Sequence, residues 1–249
     1  MERVIALKKK RENFLIFLLI FIILILIIFG IYYLISTNRF VMKTKPEKST
    51  IVVIDCGHGG PDGGAVGADG TLEKDINLSL GFRLKEHLEM NGYRVVMTRK
   101  TDDFICDDHN ASLREQNVSD LHNRLNIAES YKNAIFISLH MNQFSDARYW
   151  GSQLFYSPNH PDSRELASLI RDRLICSVQQ GNDRSLKEMD SSVYIIYHAT
   201  HPALLLECGF MSNPEELDKF KDERYQSQFA WSVLLGIQDY FIHKEFTNG

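Results

Sequence analysis

Apolar and polar positions divide the chain into one uninterrupted apolar segment and a longer region of short, repeating patterns. Phe14 to Ile35 is a run of 22 residues without a charge, mostly Leu, Ile and Phe. A helix of that length is long enough to cross about 30 Å of hydrocarbon. Lys8 to Arg11 are all basic, whereas only Arg39 and Lys43 follow closely. The positive-inside tendency therefore predicts a cytoplasmic N-terminus and an extracytoplasmic remainder.

A cleaved signal peptide is the alternative interpretation of this apolar run. Such a peptide has a shorter apolar core followed by a small-x-small cleavage site, and the segment Tyr32 to Thr37 contains no such site. We therefore interpret 14–35 as a retained transmembrane anchor in the cell membrane. It divides the chain into a cytoplasmic tail at 1–13, the anchor, a linker at 36–50 and a folded domain at 51–243.

From Ile51 onward, short apolar runs alternate with segments in which apolar residues recur every three or four positions. This alternation is typical of an α/β domain, so we expect a mostly parallel twisted sheet with helices on both faces. The predicted strands are Ile51–Ile54, Tyr93–Thr98, Ala134–Leu139, Ser152–Tyr156, Val193–Ile196 and Ala203–Leu206. The predicted helices are Ile76 to Asn91, a helix capped by Ser119, Leu166 to Leu174 and Gln226 to Phe241. Thr101 to Asn117 is polar without periodicity and is predicted to be a long surface loop.

Charge and cysteine content exclude some classes of function. The net charge is −4, and because residues 1–39 hold six basic and two acidic side chains, the remainder carries −8. A nucleic-acid partner is not expected, since a phosphate-binding surface needs the opposite sign. The four cysteines form no C-x-x-C pair and no zinc-finger spacing. We interpret them as buried or free thiols rather than metal ligands or disulfides.

Polar residues of unusual type follow three of the predicted strands. His58 lies in a glycine-rich segment after the first strand, and Glu73 begins the next helix. His140 ends the third strand, and Glu207 directly follows the last one. Sites in open α/β sheets form outside the carboxyl ends of the strands, so these four side chains are expected to converge.

Two histidines and one glutamate that converge there would form a three-ligand zinc site with one open position. Such a site polarises a water and a scissile carbonyl, and a second carboxylate, here Glu207, is then needed to move the proton. Taken singly, each residue also has an ordinary structural interpretation: a capping histidine, a tight glycine turn, a solvent-facing glutamate. A phosphate cradle is not expected, because the Lys and Ser/Thr of a Walker motif are absent.

Taken together, four motifs in order resemble the zinc-dependent N-acetylmuramoyl-L-alanine amidases. The matching segments are Gly57–Ala65, Glu73–Asn77, Ser138–Asn142 and Leu206–Glu215, with Thr98-Arg99 and Arg124 between them. The resemblance implies that His58, Glu73 and His140 are the zinc ligands and that Glu207 is the catalytic carboxylate. It also implies that 51–243 is an amidase catalytic domain that cuts the bond between N-acetylmuramic acid and L-alanine in peptidoglycan.

An N-terminal anchor on a bare catalytic domain further resembles the spore-cortex branch of this family. Peptidoglycan and the membrane are the partners implied, and a requirement for a protein activator is left open. Two other functions stay open at this point: a zinc peptidase that cuts within the stem peptide, and a non-catalytic membrane protein that binds cell wall.

Overall fold

The structure is a computed structural model that describes residues 13–31 and 51–248. One helix, α1 (Asn13–Ile31), is long and apolar enough to cross a membrane, and its side chains are exposed. A membrane span and a signal sequence both have these properties. The predicted end of the anchor at 32–35, the linker at 36–50 and most of the tail at 1–13 lie outside the described residues.

The folded domain contains six strands and six helices within 51–248. The strands are β1 (Ile51–Cys56), β2 (Arg94–Met97), β3 (Ala134–Asn142), β4 (Gln153–Tyr156), β5 (Lys187–Glu188) and β6 (Ala203–Phe210). The helices are α2 (Glu73–Met90), α3 (Leu113–Glu129), α4 (Ser163–Ser177), α5 (Tyr194–Tyr197), α6 (Pro214–Lys221) and α7 (Glu223–Asn248).

The strands form one mixed sheet in the order β2-β1-β3-β6-β4-β5. The first four are parallel to one another, whereas β4 pairs antiparallel with β6 and β5 runs parallel to β4. The expected mostly parallel α/β sheet is therefore confirmed, with a reversed pair at one edge. The parallel strands β1, β3 and β6 are neighbours at its centre, so their carboxyl ends lie side by side.

Helices cover both faces of the sheet, as the alternation of apolar positions predicts. Val52, Ile54 and Cys56 of β1 point to the face covered by α2, α4 and α7. Ile51 and Val53 point to the other face, against α3 and α5. Because β-strand side chains alternate between faces, every residue of these central strands is committed to one side or the other.

The start of α3 differs from the prediction. The helix begins at Leu113, where Ser112 and Glu115 form a reciprocal capping box, and not at a cap on Ser119. The predicted loop at Thr101 to Asn117 is therefore too long, because its last five residues are helical. The spacing Ser-x-x-Glu is itself a signal for a helix start, but the polar character of the segment concealed it.

Three further elements were assigned wrongly or missed. Val193 to Ile196 was predicted as a strand, but α5 occupies Tyr194–Tyr197. A four-residue apolar run cannot be assigned to strand or buried helix by periodicity alone. The short strand β5 and helix α6 were not predicted, although Asn213 followed by Pro214 is the cap and first position of a helix.

Candidate metal centre

The carboxyl ends of β1, β3 and β6 bring the candidate residues to one edge of the sheet. His140 of β3 lies directly beside Glu207 of β6 in the strand register, and Asp55 of β1 lies beside Ser138. The sequence neighbours of these four residues point into the core on the side of α2, α4 and α7. Because side chains alternate along a strand, the four polar side chains point to the opposite face, which α3 and α5 cover. Strand pairing therefore places four polar groups at one end of an apolar sheet.

His58, Glu73 and His140 form a compact cluster at this edge. Glu73 Oε1 lies 3.2 Å from His58 Nε2 and 3.0 Å from His140 Nδ1. The three ligand atoms all lie within 4.8 Å of one another. The loop after β1 supplies the first residue, α2 the second and β3 the third. The predicted convergence of these three residues is therefore present in the structure.

The two separations from Glu73 and the donor chemistry of the cluster fit a tetrahedral metal ion. Two ligands that each lie about 2 Å from a zinc ion at a tetrahedral angle are separated by about 3.3 Å, close to the separations of Glu73 Oε1 from the two imidazoles. Burial lowers the pKa of His58, but hydrogen bonds to Asp62 and Glu73 outweigh it and raise the pKa to about 10. The pocket thus attracts positive charge, which a bound cation supplies in place of protons.

Backbone and side-chain donors orient the Glu73 carboxylate. Oε1 accepts the Met141 backbone N–H at 2.9 Å and Oε2 accepts that of Ala65 at 2.8 Å. The Asn77 amide, one helical turn further along α2, donates to Oε1 at 3.2 Å. Burial raises the pKa of Glu73, yet hydrogen bonds from His140 and His58 outweigh it and lower the pKa, so the group is a carboxylate ready to bind a cation.

His58 adopts a strained backbone conformation and is held by Asp62. Its φ angle is +63°, in the left-handed region that non-glycine residues rarely occupy. Its Nδ1 hydrogen-bonds Asp62 Oδ2 at 2.7 Å, which leaves Nε2 directed at Glu73. A carboxylate on the outer nitrogen fixes the ring orientation and raises the basicity of a metal-binding histidine. Asp62 is therefore a positioning residue for His58.

Asp62→Asn is expected to weaken metal affinity about 10- to 100-fold, because the amide cannot fix and polarise the His58 imidazole as a carboxylate does. The measurement is competition with a chromophoric chelator for zinc. Asp69→Asn is the matched control, since Asp69 is similarly exposed in the same loop, at 41 % against 38 % for Asp62, but pairs with Lys221. Equal affinities of both variants would contradict the positioning role of Asp62.

Two buried arginines hold the loop that carries His58. Arg99 donates to the carbonyls of Cys56 and Gly57 at 2.8 and 3.1 Å. Arg124 donates to the carbonyls of Cys56 and His58, both at 2.8 Å. These bonds satisfy carbonyls that leave the sheet at the end of β1, and they stabilise the unusual φ of His58.

Asp55 anchors Arg124 from beneath the site. The Arg124 guanidinium donates to Asp55 at 2.8 Å and to Asp120 at 2.5 Å, and all three side chains are buried. Ser138 and Thr98 hydroxyls also donate to Asp55, each at 2.7 Å. Burial raises the pKa of Asp55, but the guanidinium and the Ser138 hydroxyl outweigh it and hold the pKa below its usual range. The network is a fully paired ionic support for the loop that carries His58.

Arg124→Met is expected to lower the free energy of unfolding by about 3–5 kcal/mol, because it leaves two buried carboxylates without their cation. Chemical denaturation of the detergent-solubilised chain measures it. Lys85→Met is the control: it breaks the partly exposed pair with Glu89 on α2, which is expected to cost less than about 1 kcal/mol. Similar losses of unfolding free energy in both variants would contradict the prediction that the buried ion pairs of Arg124 stabilise the fold more than a partly exposed pair does.

Glu207 has a carboxylate oxygen in an enclosed position at the cluster. Its Oε2 is buried and has no hydrogen-bond partner among residues 13–31 and 51–248. Burial raises the pKa of Glu207 to about 7, against a lowering influence from His140. A cation held by the three ligands would favour the ionised form and lower this pKa. An unpaired, buried carboxylate that titrates near neutrality is suited to accept and return a proton.

Close backbone approach at two glycines makes room for the cluster. A Cβ on Gly57 would lie 2.2 Å from His140 Cε1, and one on Gly64 would lie 2.6 Å from both Glu73 Oε2 and His58 Cδ2. Gly64 also has a φ of +66°. These glycines of the sequence motif are therefore required for the imidazoles to reach Glu73, and not only for a turn.

The four cysteines are free thiols, as predicted, and Cys56 and Cys208 point into the core on the face opposite to the cluster.

The sequence did not predict that Asp55, Asp62 and Ser138 support the cluster. A polar residue inside an otherwise apolar strand, as at Asp55 and Ser138, was the available signal.

The chain is similar to proteins of one enzyme family. The family model described as N-acetylmuramoyl-L-alanine amidase matches residues 52–239. The germination-specific N-acetylmuramoyl-L-alanine amidase of Bacillus subtilis is 33% identical over 199 residues, covering 80% of this chain and 83% of that protein.

Two solved structures share the fold. The CwlD amidase from Clostridioides difficile, solved in complex with the GerS lipoprotein, is 37% identical with a TM-score of 0.73, over 76% of this chain and 97% of that one. The catalytic domain of the amidase CwlV from Bacillus (Paenibacillus) polymyxa var. colistinus is 30% identical with a TM-score of 0.65, over 77% and 97% of the two chains.

Proposed function

Because the chain belongs to the N-acetylmuramoyl-L-alanine amidase family, we propose that His58, Glu73 and His140 hold its metal ion and that Glu207 is its catalytic carboxylate. The enzyme hydrolyses the amide bond between N-acetylmuramic acid and the L-alanine of the stem peptide in peptidoglycan. The observation that carries the four assignments is the meeting of two imidazoles and two carboxylates at one edge of the sheet.

Zinc is the metal that this donor set favours. Two imidazoles and one carboxylate are the protein ligands of several catalytic zinc sites, in which a fourth position stays available. When bound, zinc supplies Lewis acidity that polarises the scissile carbonyl and lowers the pKa of water. The protein contributes the orientation: donors fix the Glu73 carboxylate, and Asp62 fixes the His58 ring.

Glu207 moves the proton in the proposed mechanism. Its position beside His140 in the strand register supports this role. The unpaired Oε2 accepts a proton from the attacking water. The same oxygen then donates that proton to the alanine nitrogen as the C–N bond breaks, so the amine leaves in neutral form.

We propose that the reaction takes place outside the cytoplasm, in cell-wall or spore-cortex remodelling. The name of the Bacillus subtilis relative, a germination-specific amidase, supports the spore-cortex branch. Helix α1 supports a membrane anchor, and a signal sequence is the other interpretation of the same helix. The complex of the CwlD amidase with a lipoprotein supports a protein partner for this chain as well.

Digestion of purified muropeptides by the full chain in detergent with added zinc tests the proposed function. Mass spectrometry is expected to find free stem peptide together with peptide-free sugar. The same protein treated with a chelator should release neither product, and added zinc should restore both. Fragments cut inside the peptide would instead support a zinc peptidase. Intact muropeptides in the presence of bound zinc would contradict the activity of the chain without a partner.

A further inference from the structure

Three large aromatic side chains are exposed in the segment that follows β3. Phe144, Tyr149 and Trp150 have exposed fractions of 51%, 45% and 43%. The rings of Phe144 and Tyr149 pack edge to face, with centroids 4.7 Å apart. Clustered exposed aromatic surface in a soluble domain is typical of a binding site.

This aromatic segment is fixed beside the metal centre. The Phe144 backbone N–H donates to Ser212 Oγ at 3.1 Å, and the Asn213 side chain donates to the Tyr149 carbonyl at 3.1 Å. Ser212 and Asn213 follow β6, the strand that carries Glu207. The Tyr149 ring lies 6.1 Å from that of Phe210, which is three residues beyond Glu207, or about 10 Å along the strand.

Two adjoining cavities flank the aromatic segment. One of about 530 Å³ is lined by Tyr149, Trp150 and Arg184 among others, and one of about 800 Å³ is lined by Gln180 and Asn213 among others. Trp150 and Arg148 line both cavities, so the two adjoin at the indole, and together they are called the groove below. Each part is within the volume range of small-molecule sites. The groove therefore suits an extended ligand rather than a single small one.

Charge in the groove is balanced. In the first cavity Arg148 and Arg184 are matched by Asp146 and Asp183. Arg148 is already paired with Asp146 at 2.7 Å, and Arg184 lies over the Phe210 ring at 4.7 Å.

The second cavity shows the same balance of charge. Arg148 and Lys219 face Glu215 and Glu216. A stem peptide rich in carboxylates needs surplus positive charge, which neither cavity supplies. The groove therefore favours a neutral ligand with an apolar face and polar edges.

We propose that this groove binds the glycan strand of the substrate, with a sugar ring stacked on Trp150. This proposal rests on the proposed function, and it adds a glycan subsite beyond the reacting bond. A pyranose presents an apolar C–H face, which packs on an aromatic ring, and a rim of hydroxyl and acetamido groups. Gln180 lines the second cavity and offers its side-chain oxygen to that rim. The muramic acid ring lies next to the scissile amide, so neighbouring sugars extend along a groove whose Tyr149 ring lies 6.1 Å from that of Phe210, three residues beyond Glu207.

Tryptophan fluorescence tests the proposal without requiring activity. The chain has two tryptophans, and both are 43% exposed in the structure, so Trp231→Phe leaves Trp150 as the single reporter. Titration with a peptide-free tetrasaccharide of alternating N-acetylglucosamine and N-acetylmuramic acid is expected to give a saturable change in emission. The matched variant Trp150→Phe, which reports from Trp231 on α7, is expected to give none. No response of Trp150 to the glycan, or a response to free stem peptide instead, would overturn the proposal.

Kinetics separate the groove from the reacting centre. Two substrates are compared, in which the same stem peptide is attached either to a single N-acetylmuramic acid or to the tetrasaccharide. Trp150→Ala is expected to raise KM about tenfold for the tetrasaccharide substrate only, equivalent to about 1.4 kcal/mol, while Trp231→Ala changes neither. An equal rise for both substrates, or no rise for either, would overturn the glycan assignment. A glycan response of Trp150 in Trp231→Phe, together with a wild-type chain that cleaves neither substrate, would instead count against the proposed function alone.

Discussion

Glu207→Gln is expected to lower kcat by about 10²–10⁴-fold, the range that a general acid–base contributes. The amide keeps the volume of the carboxylate but cannot accept a proton from water or return it to the leaving amine. Metal content is expected to stay at the wild-type level, because Glu207 is not one of the three clustered ligands. The measurements are turnover of a soluble muropeptide and elemental analysis of the same preparation.

The control for this variant is Glu86→Gln on α2, where the side chain is 61% exposed and pairs loosely with Arg83 at 3.8 Å. That change is expected to leave kcat and metal content unaltered. Turnover near the wild-type rate in Glu207→Gln, with zinc still bound, would remove Glu207 from the mechanism. Loss of metal together with activity would instead place Glu207 among the ligands.

His140→Ala is expected to lower zinc affinity at least 100-fold and to abolish turnover. Only His58 and Glu73 remain as ligands, and the carboxylate loses one of the two imidazoles that lie within about 3 Å of it. Elemental analysis gives the stoichiometry, and the rise in Tm on adding zinc gives a second reading, because a ligand that binds the native state raises stability. In the variant this rise should vanish at zinc concentrations that saturate the wild type.

His198→Ala provides the matched comparison, because His198 is an exposed histidine at the end of α5, outside the cluster. It is expected to bind zinc with the wild-type stoichiometry and to show the wild-type rise in Tm. A full complement of zinc in His140→Ala would show that the metal is bound elsewhere, and the proposed ligand set would then be wrong.

The loop that carries His58 shows that some site residues can be identified from the sequence and others cannot. His58, Glu73, His140 and Glu207 could be selected from the sequence, because each is a chemically unusual residue beside a strand end or helix start. Asp62 could not be assigned, because nothing in its position shows that its carboxylate reaches the outer nitrogen of His58. That contact depends on the positive φ of His58, which the arginine contacts from α3 and from the segment after β2 stabilise.

The glycan groove is an example of a feature that only the folded chain contains. Its walls come from the segment after β3, the segment after α4 and the start of α6. Trp150 and Arg184 are separated by 34 positions in the sequence, and they meet where the Arg184 guanidinium donates to the Trp150 backbone carbonyl. No periodicity or motif connects residues so distant, so the pattern of the chain gives no sign of the groove.

The sequence by itself determined the α/β architecture and the four residues of the proposed centre. Those features depend on local periodicity and on residue chemistry, which are readable position by position. The tertiary structure decided the helical state of Tyr194–Tyr197 and the buried Asp55–Arg124–Asp120 support. A four-residue apolar run is ambiguous between strand and buried helix, and Asp55 and Arg124 are 69 positions apart in the sequence. Contacts between distant segments therefore decide both features.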